Sequence, residues 1–218
     1  MHAVPGDGSP AETWVIELQI VRFRPEQHDP AFERRRLIRR DSLVVCRQNS
    51  QAGLIIFSYL NPILQFGVEK FCVAASQVGV DGALITDLPV EEANEYLRAM
   101  TAHKLAPVFL AAPTSTDERL RAVARRSRGF VYAISRTGIT GTREQVASDA
   151  QTLVQRLRSM TKLPIAVGFG VSNADQFAEV GSFADAVVVG SAIVQRIERN
   201  AGREADAVGE FLQTLRRT

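Results

Sequence analysis

LPIAVGFGVSNADQFAEVGSFADAVVVGSAIVQRI, residues 163–197, decides the fold. It holds two apolar runs, LPIAVGFG (163–170) and ADAVVVGSA (184–192), rich in Val, Ile, Leu and Ala without polar alternation. That is the pattern of parallel strands covered on both faces. Working outward, four more runs of this kind appear: LIIFSY (54–59), GALITDLP (82–89), APVFLAAP (106–113) and GFVYAIS (129–135). Amphipathic stretches lie between the runs. VEEANEYLRAMTAHK (90–104) and TDERLRAVARRS (116–127) carry apolar residues at i, i+3, i+4 spacing and predict helices. Pro89 stands just ahead of the first, while Thr116 reads as the N-cap of the second, with Asp117 and Glu118 in its first turn.

Strand, short loop and helix thus repeat roughly every 20 to 35 residues, a succession of right-handed βα units. At 218 residues the chain suits one such domain. A (β/α)8 barrel takes about 250 residues and builds its active site where the strands end, which is where the glycines and polar residues cluster here. The doubly wound alternative carries a glycine fingerprint after its first strand, and neither GxGxxG nor GxxxxGK[ST] occurs.

Composition excludes several classes. With 45% apolar and 23% charged residues the chain is neither disordered throughout nor a disulfide-stapled miniprotein. A net charge of +2 from 26 basic and 24 acidic residues gives no footprint for nucleic acid. Cys46 and Cys72 form no CxxC and no cluster at metal-ligand spacing, so neither zinc nor any other metal is implied. The start MHAVPGDGSPAETW lacks the basic and apolar regions of a signal peptide, and no run approaches a membrane span of about 20 residues. A soluble, cytoplasmic protein is the expectation.

Residues 1–53 read differently. The segment QIVRFRPEQHDPAFERRRLIRRDSLVVCR (19–47) has eight Arg, no Lys and two Pro, with neither a clean helical stripe nor strand alternation. An exposed arm or an outer Arg-rich helix, AFERRRLIRR, is the plain reading. The domain reading is therefore an atypical N-terminal segment, 1–53, ahead of a barrel body, 54–218.

The strongest chemical signal is SRTGITG (135–141), directly after the strand GFVYAIS. Gly138 and Gly141 permit positive φ and expose backbone amides, as an anion cradle requires, although a flexible βα turn has the same composition. VGFGVSNADQF supplies Gly168 and Gly170, and VVVGSAIVQRI supplies Gly190 and Ser191. Loops after the last strands of a barrel, with amides at the N-terminus of a short helix, frequently hold phosphate. Three such loops on consecutive strands point to a phosphorylated ligand. Asp87 ends ALITD and is either a rim carboxylate or a helix cap, and Glu17 in TWVIELQI is either a functional carboxylate or the exposed face of an edge strand. His2, His28 and His103 stand in no position suited to a general base.

In order and spacing, SYLNPILQFGVEKF, GVDGALITDLPVEEA, APTSTDER, GFVYAISRTGITG, LPIAVGFGVS and VVVGSAIV resemble the α chain of tryptophan synthase over about residues 53–200. The resemblance implies a (β/α)8 barrel that cleaves indole-3-glycerol phosphate to indole and glyceraldehyde 3-phosphate in tryptophan biosynthesis, a lyase. It implies an α2β2 assembly with a β chain that carries pyridoxal phosphate, and no cofactor in the α chain itself. By the same likeness Gly141, Phe169, Gly170, Gly190 and Ser191 hold the phosphate and Tyr132 stands beside the substrate. Asp87 and Pro89 belong to the rim loop facing the β chain, and Glu17 occupies the place of the catalytic glutamate.

The departure lies just after Glu17. Where the family carries GxPFSDPxADGP, this chain has QIVRFRPEQHDPAFERRRLIRR, so the second catalytic carboxylate, an Asp, has no counterpart. Family-like sequence resumes near RQNSQAGLIIFSYLNP at the expected spacing, so the intervening block reads as a translated frameshift or a compensated pair of indels. The barrel is expected to be incomplete at its N-terminus, with the first strand missing and the ring open between the second and eighth unless segment 1–53 or the C-terminal helix EADAVGEFLQTLRR (204–217) covers the gap. Activity would be impaired, and the alternative is a catalytically poor, phosphate-binding barrel that serves as partner of the β chain.

Overall fold

The apolar runs form parallel strands because their side chains alternate between two buried layers. The computed structural model describes residues 14–15, 40–134, 143–168 and 170–215. In chain order the strands are β1 (Trp14–Val15), β2 (Ile55–Ser58), β3 (Gly82–Ile85), β4 (Ala106–Val108), β5 (Leu110–Ala111), β6 (Val131–Ile134), β7 (Ile165–Gly168) and β8 (Ala186–Val188). The helices are α1 (Arg40–Asn49), α2 (Leu60–Phe66), α3 (Val68–Gln77), α4 (Asn94–Ala102), α5 (Asp117–Arg126), α6 (Arg143–Arg158), α7 (Ala174–Gly181), α8 (Ser191–Arg199) and α9 (Glu204–Leu215). Every strand pair is parallel, in the orders β2-β3-β4 and β1-β8-β7-β6-β5. β4 and β5 are halves of the single run 106–111, interrupted at Phe109, whose carbonyl accepts from the Tyr132 amide at 3.2 Å. The sheet is therefore one continuous arc of a barrel.

Alternate residues face inward. Leu84, Val108, Tyr132, Ala166, Ala186 and Val188 form an inner core, with Phe57, Leu110 and Ile134 packed on it. Their neighbours Ala83, Phe109, Val131, Ile165, Val167 and Val187 join a larger core with Phe71, Met100, Leu120 and Leu157 of the surrounding helices. Burial on both faces is why none of these runs shows polar alternation.

α5 begins as its sequence predicts, with Thr116 Oγ1 accepting from the Arg119 amide at 3.3 Å. Arg156 of α6 donates to the Ser115 carbonyl and to Asp117 Oδ1, at 2.8 and 2.7 Å. That hydrogen bond holds the Asp117 carboxyl below its ordinary range, with the nearby Arg156 and Arg121 charges adding to the effect.

Three expectations shift. The helix read over 90–104 is α-helical only over Asn94–Ala102, with 90–93 a turn. The Val90 carbonyl, which would accept within such a helix, is taken by Arg126 at 2.8 Å, and Lys104 at φ 58 ends the helix with Leu105 N donating to Met100 O. The C-terminal part of segment 19–47 is the helix α1, whose Leu43 and Val44 pack on the outer core. Lastly, β1 pairs with β8 (Trp14↔Val187, Val15↔Val188), and among the described residues β2 pairs only with β3. The described seam thus falls between β1 and β2, where the sequence placed it between the second and eighth strands. Chain order favours neighbouring strands when one βα unit follows another. The free edge of the buried strand β8 also needs a hydrogen-bonding partner, and Trp14–Val15 supply it.

Candidate active site

The strand register places the candidate residues. Ile134 pairs with Gly168, Gly168 with Val188, and Val188 with Val15, so these four share one level at the C-terminal ends of their strands. Gly170 and Gly190 each follow that level by two residues. They stand on adjacent strands at the same rim.

Tyr132, two residues before Ile134, is buried in the inner core. Its ring meets Phe57 of β2 edge to face, with centroids 6.1 Å apart and planes at 65°. Gly168 makes room for it. A Cβ at position 168 would run into the Tyr132 hydroxyl and lie 2.9 Å from Cζ, closer than side chains pack. Beyond it, Gly170 has φ +69 with open space around it, so the turn geometry, not crowding, calls for glycine there.

The two following helices begin differently. At α7, Asn173 Oδ1 accepts from Gln176 N at 3.0 Å and Gln176 Oε1 accepts from Ser172 N at 2.6 Å, so side chains of the chain itself serve that N-terminus. At α8 the N-cap is Gly190 and no side chain caps the helix. Ser191 is exposed in its first turn. An uncapped first turn leaves amides and the positive end of the helix dipole for an anion.

On the same rim, after β3, Asp87 is exposed and its Oδ1 accepts from the Leu60 amide at 2.6 Å. It stands at the rim, and the helix whose N-terminus it serves is α2, not the one that follows it. Pro89 is half-buried beside it. Glu17, Gly138, Gly141 and Phe169 lie outside the described residues, as does AFERRRLIRR apart from Arg40. His103 ends α4 and contacts Glu69 Oε1 at 2.5 Å, away from this rim. Phe57 is the residue the sequence reading passed over; only its inward register on β2 marks it. Among the described residues no group of three or more His, Cys, Asp or Glu could hold a metal ion, and no helix is long and apolar enough to cross a membrane.

Residues 42–217 match the family profile described as "Tryptophan synthase alpha chain". The chain is 52% identical over 155 residues to the tryptophan synthase alpha chain of Solibacter usitatus, covering 71% of this chain and 58% of that one. It is 45% identical over 174 residues to that of Geobacter sulfurreducens, covering 78% and 65%. The chain therefore spans less than two thirds of the length of these relatives. Its fold superposes on a chain of the tryptophan synthase a2b2 complex from Pyrococcus furiosus with TM-score 0.73 and 32% identity, over 81% of this chain and 70% of that one. A tryptophan synthase structure from M. tuberculosis gives TM-score 0.71 and 34% identity over 85% and 72%. The match begins at residue 42, inside the block read as unlike the family, and runs past residue 200 through α9. On this extent of match, joined to a barrel with its glycine-bearing rim, the chain belongs to the tryptophan synthase alpha chain family.

Proposed function

We propose that the chain cleaves indole-3-glycerol phosphate to indole and glyceraldehyde 3-phosphate in the cytoplasm, as a lyase of tryptophan biosynthesis working beside a β chain. The observation that carries this reading is the rim where Tyr132, Gly170 and the uncapped start of α8 at Gly190 and Ser191 share one end of the barrel. In this reading Gly141, Phe169, Gly170, Gly190 and Ser191 hold the phosphate through backbone amides, with no cationic side chain required. Tyr132 and Phe57 form the apolar wall for the indole. Glu17 moves the protons: one goes onto the indole carbon as the carbon–carbon bond breaks, and one leaves the substrate hydroxyl that becomes the aldehyde. No cofactor belongs to this chain, and pyridoxal phosphate belongs to the partner. The β chain docks on the rim loop at Asp87 and Pro89. Residues 1–53 are the remnant of the first barrel units, and 54–218 form the barrel body.

A second reading is favoured by one observation, the replacement of the motif that would supply the second carboxylate. A single proton-transfer or charge-stabilising group contributes about 10²–10⁴ in rate, so its loss leaves a phosphate-binding partner with little turnover. Indole release from indole-3-glycerol phosphate, measured with and without a tryptophan synthase β chain, separates the two. Turnover within about 10² of an intact relative supports the enzyme. Saturable binding with no indole supports the partner, and neither binding nor turnover ends both readings.

A further inference from the structure

We infer that Arg126 is a positioning residue for the rim loop 86–94, holding it in its docking conformation before a partner arrives. The inference rests on the reading above in which this loop faces the β chain. The loop leaves β3 and is fixed on one side to the β2–α2 junction. Thr86 donates to the Ser58 carbonyl from its amide at 2.9 Å and its hydroxyl at 3.3 Å, and Asp87 Oδ1 accepts from Leu60 N. Val90 and Ala93 are buried, at 2% and 0% exposure, while Asp87, Glu91, Glu92 and Asn94 face solvent.

The other side needs an external tether. α4 has Ala93 as its N-cap and no side-chain capping bond, so its own sequence does little to fix its entry. Arg126, half-buried in the last turn of α5, donates from Nη1 to the Val90 carbonyl at 2.8 Å and to Asn94 Oδ1 at 2.9 Å. Long side chains on a helix lean back toward its N-terminus, which carries the guanidinium toward the loop. Two turns earlier on the same face, Arg119 stands 3.6 Å from Glu91. A cation at a helix C-terminus is also favoured by the dipole, so α5 supplies the tether at little cost to itself. A loop already ordered adds less to the entropic cost of association, so this tether should show in partner affinity.

The test uses the full-length chain as wild type, R126A, N94A and R158A. Arg158 pairs with Asp185 at the other end of the barrel, so R158A removes an equal charge away from the loop. Amide hydrogen exchange over 86–94 is read on the chain alone, and Kd is read against a tryptophan synthase β chain. R126A should speed exchange at 90–94 and raise Kd about tenfold or more, the size that losing a charge-assisted hydrogen bond carries. N94A, which removes one acceptor and leaves the barrel intact, should do the same to a smaller degree, and R158A should do neither. Faster exchange with unchanged Kd in R126A, or an equal rise of Kd in R158A, would overturn the inference alone. A wild-type chain that binds no β chain would overturn the partner reading itself.

Discussion

At the scale of the residue, the contact between Tyr132 and Gly168 shows how a glycine can be fixed by what stands over it. Gly168 reads in sequence as one of several glycines ending a strand, and nothing in a single sequence says which of them is crowded. Crowding depends on register: Tyr132 lies one pleat below the Ile134↔Gly168 pair, and its ring turns over the neighbouring strand. Gly168→Ala should therefore cost about 1–3 kcal/mol through overpacking. Most of that cost should vanish when Tyr132→Ala removes the ring, a coupling that a double-mutant cycle by chemical denaturation reads directly. Additive losses would mean that the two residues do not share this space. Asp87 teaches a related lesson, since its position on the rim was legible and its acceptance of the Leu60 amide, across to the neighbouring βα unit, was not.

At the scale of the element, strands were more legible than helix ends. The six apolar runs became strands because burial on two faces writes itself into composition. The helix read over 90–104 was trimmed at both ends by partners that periodicity does not contain: Arg126, thirty-six residues away, and the left-handed turn at Lys104. Lys104 is the one non-glycine residue with positive φ among the described residues. Replacing it with glycine should relieve about 1–2 kcal/mol of backbone strain against about 0.5–1 of added chain entropy. The net gain, about 0.5–1 kcal/mol, corresponds to a rise of about 1–4 °C in Tm for a domain of this size. A fall in Tm would show that the lysine side chain makes compensating contacts. The aspartates that begin two strands were equally silent in sequence. Asp81 accepts from the Leu54 amide at 2.7 Å and pairs with Arg47, while Asp185 accepts from the Ile165 amide at 2.7 Å and pairs with Arg158. Each ties its own strand to the preceding one, a lateral relation visible only once the strands are side by side.

At the scale of the whole molecule, the order of motifs carried the family and the barrel, because spacing between βα units is a property of the sequence itself. Which outcome closes the ring was not legible: of the two segments that could cover the edge of β8, Trp14–Val15 of segment 1–53 pair with it. The shared rim was legible: Gly170 and Gly190, the glycines that follow β7 and β8, stand on adjacent strands at one end of the barrel. What remained out of reach of composition and spacing was the asymmetry between α7, served by Asn173 and Gln176, and α8, which begins without a side-chain cap. That asymmetry is why the proposed phosphate site is placed at α8 and not at α7. The most direct measurement is calorimetric titration of glyceraldehyde 3-phosphate into the wild-type chain and into Gly190→Val, with circular dichroism to show that the variant is folded. Saturable binding by the wild type, weakened about tenfold or more in the variant as the added side chain blocks approach to the α8 amides, is the expected result. Equal affinity in the two folded proteins would contradict a backbone-amide phosphate site at this rim.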